Sequence, residues 1–87
     1  MYVIVVYDVT EDKVNKVCNY LRRYLTWIQN SVFEGELSLS TYIEMKDGLE
    51  RLIDIERDSI KIYILSSDKE LKKESIGKRY KETSQFI

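Results

Sequence analysis

The side chain best placed to do chemistry is one carboxylate, Asp8, which follows an apolar run over residues 2–7. Apolar residues in a short run, mostly β-branched, predict a strand because branched side chains fit a pleated surface. Thr10 is a better helix cap than Asp8, since Glu11 and Asp12 then lie in the first helical turn, where the helix dipole favours acids. Asp8 is left without an obvious structural task, and we predict a functional one rather than a cap.

Composition narrows the chemistry that this carboxylate can do. The chain has no histidine and a single cysteine, Cys18, which excludes Ser-His and Cys-His nucleophile pairs, the usual His-bearing zinc sites and an internal disulfide. Catalysis would have to use carboxylates, Tyr, Lys or a metal bound through oxygen. Cys18 lies in an apolar helical stripe and is predicted to be a small core residue.

Charge is separated along the chain, although the net charge is only −1. Basic residues occur without acids over residues 13–23 and outnumber acids over residues 69–81, on either side of an acidic middle at residues 34–58. If the two basic zones meet in space they form a phosphate-binding surface; the alternative is an ordinary solvated exterior. The residues predicted to contact nucleic acid in these zones are Lys13, Lys16, Arg23, Lys78 and Arg79.

Length and composition indicate one small globular domain over residues 1–87. Hydrophobic residues make up 44% of the chain and charged residues 33%, which is typical of a folded rather than a disordered protein. No apolar run is long enough to span a bilayer, and the chain starts in a strand without a signal-peptide pattern. With no disulfide, we expect an intracellular, cytoplasmic protein and no membrane partner.

The order of predicted elements indicates the fold class. After the first strand, apolar spacing predicts a helix over residues 11–25, with Tyr20 on its outer face, and then extended structure over residues 27–37 with a turn near residue 30. A second helix, capped by Ser38 or Ser40, runs to about residue 53, and alternation predicts a strand over residues 59–65. This order predicts an α/β (α+β) fold of the ferredoxin-like split βαβ type.

The first strand is apolar on both faces, whereas this fold covers only one face of its sheet with helices. A chain of 87 residues is too short to form another layer over the second face. We therefore expect a second copy of the same chain, related by a two-fold axis, to cover that face. The apolar end at residues 85–87 also suggests a last short strand that docks after a polar stretch. The sequence therefore predicts a homodimer.

Three stretches of the sequence together resemble a known family. They are Tyr7-Asp8-Val9, Gln29-Asn-Ser-Val-Phe-Glu-Gly-Glu-Leu37 and Asp58-Ser-Ile-Lys-Ile-Tyr-Ile-Leu65, of which Gln29-x-Ser31-Val32-Phe33-Glu34 is the most specific. In a chain of this length they resemble the small CRISPR-associated endoribonuclease family, the non-integrase member of the two core spacer-adaptation proteins. The sequence departs from the family at Trp27, where many members carry Arg, and at Lys13 and Lys16, near positions that are often Arg.

The resemblance implies a ferredoxin-like homodimer in which the C-terminal segment, residues 76–87, adds a strand to the neighbour's sheet. It implies metal-dependent phosphodiester hydrolysis of RNA or DNA, with Asp8 binding Mg²⁺ or Mn²⁺ at the dimer interface. It also implies assembly with the CRISPR integrase subunit on a DNA duplex during spacer acquisition. Ser31, as a hydrogen-bond donor, and Phe33, as a stacking or wall residue, either lie near the cleft or belong to the strand core.

Two classes of function remain, and a third is remote. The first is a magnesium-dependent endoribonuclease or endodeoxyribonuclease that uses Asp8 as its catalytic metal ligand, with single-stranded RNA or double-stranded DNA as its nucleic-acid partner. The second is a non-catalytic scaffold that binds duplex DNA and the integrase subunit through its basic edges. The remote reading is a ferredoxin-like small-ligand regulatory domain, which the absence of a Gly-rich loop disfavours.

Overall fold

A computed structural model describes residues 1–76 as two helices packed on one face of a four-stranded sheet. In chain order the elements are β1 (Tyr2–Asp8), α1 (Glu11–Leu21), β2 (Thr26–Gln29), β3 (Val32–Glu36), α2 (Leu39–Leu52) and β4 (Ser59–Leu65), followed by a 3₁₀ turn at Asp68–Glu70. The sheet order is β2-β3-β1-β4, and every neighbouring pair is antiparallel. This is the ferredoxin-like split βαβ arrangement, so the predicted fold class is confirmed.

The central strand β1 organises the core, as its apolar sequence predicted. It lies between β3 and β4, and Val5 is opposite Phe33 on one side and Ile62 on the other. Val3, Val5 and Tyr7 are buried beneath the two helices, whereas the alternating residues of β1 point to the other face and are only half-buried. The two faces of β1 thus have different neighbours, as strand alternation requires.

Helix α1 ends at Leu21, four residues before the predicted end. In the turn that follows, two backbone bonds tighten from i−4 to i−3, since the Arg23 N–H donates to the Tyr20 carbonyl at 3.1 Å and the Tyr24 N–H to the Leu21 carbonyl at 2.9 Å. The Leu25 N–H then returns to the i−4 pattern and donates to the Leu21 carbonyl at 2.9 Å. This turn still places Leu25 in the core. The apolar spacing therefore continues beyond the helix itself, because a tightened turn presents side chains with nearly the same period.

Helix α2 begins after Ser38, whose hydroxyl accepts a hydrogen bond from the Thr41 N–H at 3.2 Å, as one of the two predicted caps. The outer-face position predicted for Tyr20 is wrong. Its ring lies between the helices and its hydroxyl donates to the Met45 carbonyl at 3.1 Å, while burial raises its pKa to about 12. Gly48 leaves room for this ring, because a Cβ there would lie 1.9 Å from the hydroxyl oxygen.

The helix-free face of the sheet carries a buried acid. Glu34 is 5% exposed, accepts a hydrogen bond from the Tyr2 hydroxyl at 2.7 Å and contacts the Lys73 ammonium. Burial, followed by the bond to Glu34, raises the pKa of Tyr2 above its usual range. Lys73 comes from a segment that follows the 3₁₀ turn, so the chain itself covers part of this face, while Tyr63 remains 54% exposed on it.

Some predictions concern residues 77–87, which lie outside the described residues. They include the predicted last strand and the predicted nucleic-acid contacts of Lys78 and Arg79. The homodimer requires a second copy and stays a prediction. Within residues 1–76, neither helix has the length and apolar character that crossing a bilayer requires.

Candidate functional site

Asp8 is the last residue of β1, and its exposed side chain lines a cleft of about 290 Å³. Among residues 1–76 its carboxylate has no hydrogen-bond or ion-pair partner. The cleft is completed by residues from the end of β1, from α1 and from the turn between β2 and β3. These lining residues are Tyr7, Val9, Val14, Asn30 and Ser31. An accessible, unengaged carboxylate beside a polar turn is suited to binding a cation.

Backbone bonds fix two walls of this cleft. Asp8 is paired with Ser59 of β4, and the Tyr7 N–H donates to the Ser31 carbonyl at 3.1 Å. The turn that carries Ser31 reverses at Asn30, which has a φ of 45°, a left-handed conformation that Asn tolerates better than most residues. The turn and the end of β1 are therefore held together, and Asp8 faces a wall that the fold positions.

A second aspartate, Asp58, anchors the loop that follows Asp8. Its side chain is 0% exposed. One carboxylate oxygen, Oδ1, accepts the Thr10 N–H at 2.8 Å, and the other, Oδ2, accepts the Asp54 N–H at 2.8 Å and the Lys13 ammonium at 3.1 Å. We call this arrangement the Asp58 clamp; it joins the loop after β1, helix α1 and the loop before β4.

The donors of the clamp determine the charge of Asp58. The backbone N–H groups of Asp54 and Thr10 hold the pKa of Asp58 well below its usual range, and the Lys13 ammonium lowers it further. Asp58 is therefore ionised at neutral pH, with both oxygens engaged. The two aspartates at this end of β1 therefore differ. Asp58 is buried and both of its oxygens accept hydrogen bonds, whereas Asp8 is exposed and its carboxylate has no partner within residues 1–76.

The predicted basic residues are not gathered around Asp8. Lys13 forms an ion pair with Asp58, so its charge is already neutralised within the fold. Lys16 and Arg23 are exposed, and the Arg23 guanidinium lies 5.5 Å from the centroid of the Tyr20 ring. None of these three lines the Asp8 cleft. Their contact with nucleic acid stays a prediction, as does that of Lys78 and Arg79.

Ser31 and Phe33 were predicted either near the cleft or in the strand core, and the structure separates them. Ser31 is half-buried and lines the Asp8 cleft. Phe33 is 0% exposed, and its ring centroid lies 6.2 Å from that of Tyr7. Phe33 therefore packs the core beneath the end of β1, and in this position it presents no face to a ligand.

Sequence reasoning missed Asp58 and Asn30 as parts of this corner. For Asp58 the sequence offers one signal, its position immediately before a strand in one of the three stretches that carry the resemblance. For Asn30 the sequence indicates only a turn. In the structure Asn30 lines the Asp8 cleft, and its carbonyl accepts a hydrogen bond from the Trp27 indole Nε1–H at 2.9 Å.

One chain offers few metal ligands at this place. Within residues 1–76, no three His, Cys, Asp or Glu side chains come together in a group able to hold a metal ion. Asp8 alone provides one carboxylate, and the other donors would be the Ser31 and Asn30 side chains, water and substrate oxygens. Such a sparse oxygen set suits Mg²⁺, which keeps much of its hydration in proteins.

Comparison with known proteins decides the family. The model of a family described as CRISPR associated protein Cas2 matches residues 1–73, a range that contains Asp8, its cleft and the Asp58 clamp. This chain belongs to the Cas2 family. The resemblance drawn from the sequence is therefore confirmed.

Similar proteins extend over most or all of the chain. A protein named CRISPR-associated endoribonuclease Cas2 from Pyrococcus furiosus is 52% identical over 67 residues, which cover 77% of this chain and 79% of that protein. One of the same name from Methanosarcina acetivorans is 44% identical over 87 residues, 100% of both chains. The crystal structure of Streptococcus pyogenes Cas2 has a TM-score of 0.78 and 30% identity, and covers 88% of this chain and 100% of that one.

Another solved structure, described as the crystal structure of Cas2, is similar to this chain with a TM-score of 0.84 and 47% identity, and the match covers 90% of this chain and 87% of that one. Both solved structures have the names of Cas2 proteins. The chain is thus a CRISPR-associated protein of the Cas2 family with this α+β fold.

Proposed function

We propose that this Cas2-family chain is a metal-dependent endonuclease of CRISPR spacer acquisition, in which Asp8 holds a divalent cation. The observation that carries the proposal is the accessible, unengaged carboxylate of Asp8, in a corner that the Asp58 clamp fixes. The relatives named endoribonucleases support RNA as a substrate, and DNA is the second candidate. The integrase subunit is its proposed partner in the cell.

The donors of the cleft fit Mg²⁺ or Mn²⁺. The Asp8 carboxylate would hold the hydrated cation, and the Ser31 hydroxyl would donate a hydrogen bond to a phosphate oxygen. A bound Mg²⁺ supplies a water of lowered pKa and offsets negative charge on the phosphate as the bond breaks. With no histidine in the chain, no imidazole can carry protons, so a modest rate of cleavage follows from the composition.

A homodimer would complete the donor set. Asp8 is on the same face of β1 as Tyr2, Ile4 and Val6, which is the helix-free face of the sheet. Strand alternation therefore directs Asp8 toward the face that a second copy is predicted to cover. Two copies related by a two-fold axis would bring two Asp8 carboxylates toward one another and double the charge available to a cation.

The test compares Asp8→Asn with Asp47→Asn, a matched change at an exposed aspartate of α2. Cleavage of a labelled single-stranded RNA and a labelled DNA duplex is followed with Mg²⁺, with Mn²⁺ and with a chelator. Asp8→Asn should lower metal-dependent cleavage by orders of magnitude, while Asp47→Asn and the wild type remain equal. Cleavage that survives Asp8→Asn, or that is absent from the wild type, would refute the nuclease.

A non-catalytic nucleic-acid scaffold is the second candidate. It is favoured by the exposed cations Lys16, Arg22 and Arg23, which have no carboxylate partner among the described residues. Phosphate contacts release counterions, so binding should weaken steeply with added salt and should persist in Asp8→Asn. Salt-dependent duplex binding by a wild type that does not cleave would favour this role.

A further inference from the structure

Trp27 is an exposed aromatic side chain that the core does not explain. It lies on β2, one of the two edge strands among the described residues, and is 46% exposed. Its indole Nε1–H donates to the Asn30 carbonyl at 2.9 Å, so the ring is held in one orientation although much of it faces solvent. A large ring kept exposed and fixed has already lost the rotamer freedom that binding a ligand would cost.

A cation accompanies this ring. The Arg22 guanidinium carbon lies 6.0 Å from the centroid of the Trp27 ring, and Arg22 has no carboxylate partner among residues 1–76. An exposed indole beside an uncompensated guanidinium matches the chemistry of a nucleotide, because the ring stacks on a base and the cation attracts its phosphate. An apolar ligand would leave the charge of Arg22 without a partner.

The ring is also connected to the Asp8 cleft. Asn30, which accepts the indole N–H, is one of the residues that line that cleft, and the next residue, Ser31, is bonded to the backbone of Tyr7. A single turn therefore joins the exposed ring on the sheet edge to the wall that faces Asp8. A nucleotide on Trp27 would therefore lie beside the turn that forms one wall of the Asp8 cleft.

We infer that Trp27 and Arg22 form a stacking subsite for one unpaired nucleobase of a single-stranded nucleic acid whose backbone runs toward the Asp8 cleft. The faces of a base in a duplex are covered by its neighbours, so only an unpaired base can lie on the ring. The role of the strand as a substrate rests on the proposed function. The stacking itself needs neither Asp8 nor a metal.

Trp27 is the single tryptophan of the chain, so its fluorescence reports directly on stacking. The wild type is titrated, without divalent cations, with a short single-stranded oligonucleotide, with an abasic strand of the same length and charge, and with the corresponding duplex. The single strand should quench the fluorescence, and the abasic strand and the duplex should quench it much less. Equal quenching by the abasic strand, or none by the single strand, would overturn the subsite.

Variants measured by the anisotropy of a labelled strand extend the test. Removing a stacking aromatic typically lowers affinity by roughly 5- to 150-fold, so Trp27→Leu should bind at least about fivefold more weakly, while Trp27→Phe keeps a ring and most of the affinity. Arg22→Ala should weaken binding more than Arg51→Ala, a matched change at an exposed arginine of α2. Circular dichroism checks folding, and equal affinities for wild type and folded Trp27→Leu would refute the proposal.

The same titration in Asp8→Asn separates this inference from the proposed function. Quenching that persists in Asp8→Asn, together with a wild type that does not cleave, would support the subsite and reject the nuclease. Metal-dependent cleavage by a wild type whose fluorescence does not respond to the single strand retains the nuclease and rejects the subsite.

Discussion

Alanine at position 48 should destabilise this protein, although replacing glycine with alanine inside a helix normally stabilises by about 1 kcal/mol. A Cβ on Gly48 would lie 1.9 Å from the Tyr20 hydroxyl oxygen and 2.5 Å from ring carbon Cζ. The ring would have to withdraw by more than an ångström, which breaks its hydrogen bond to the Met45 carbonyl at about 1 kcal/mol. Strained packing costs about 1–3 kcal/mol more. The helix-propensity gain of about 1 kcal/mol offsets the lost hydrogen bond, so the free energy of unfolding should fall by about 1–3 kcal/mol in total.

Thermal unfolding followed by circular dichroism measures this loss, which should lower the midpoint by about 4–8 °C for each kcal/mol in a domain of this size. The control makes the same change in a Tyr20→Leu background, where no ring meets the new methyl group. There Gly48→Ala should stabilise by up to about 1 kcal/mol. An equal effect in both backgrounds, or stabilisation of the wild type, would refute the close approach as the reason for glycine.

The corner of the fold near Asp8 gives further expected outcomes. Because folding lowers the pKa of Asp58, its stabilisation is complete above the unfolded pKa of about 3.9 and is lost as the pH falls from there through the folded pKa. Denaturant unfolding from pH 7 to 2 should therefore show a steeper acid loss in the wild type than in Asp58→Asn; parallel curves would argue against the clamp. Lys13→Ala should lower stability with little change in nucleic-acid affinity, whereas Lys16→Ala should reduce the salt dependence of binding at unchanged stability, and the reverse pattern would contradict the structure. Light scattering at micromolar concentration should give about twice the chain mass of 10.4 kDa, and a monomer would contradict the homodimer.

Local patterns predicted the fold because each element carries its own signal. The apolar run of β1, the alternation of β4 and the apolar spacing of α1 are properties of neighbouring residues, and they identify the elements without tertiary information. The end of α1 was misplaced because the tightened turn to Leu25 preserves the helical spacing. Tyr20 was misplaced because its position depends on Gly48, a residue of the other helix.

The candidate site was only partly predictable for the same physical reason. Asp8 was found because a carboxylate at the end of an apolar strand is conspicuous and has no local partner. The burial of Asp58 depends on donors from three segments, Thr10, Lys13 and Asp54, that are close only after folding. Phe33 could not be assigned to cleft or core from the strand pattern alone, since both positions suit an aromatic residue.

The Asp58 clamp also links the candidate site to the order in which the protein folds. Its bonds to Thr10 and Lys13 close separations of 48 and 45 residues, and because the pairing of β1 with β4 brings the same segments together, we expect the clamp to form with that pairing. The loop beside Asp8 then belongs to the most cooperative part of the domain, and the Thr10 amide should exchange its hydrogen as slowly as the amides of β1, through global unfolding. An incompletely folded chain would have no organised cleft, so a newly made chain would acquire its core and its cleft in the same step.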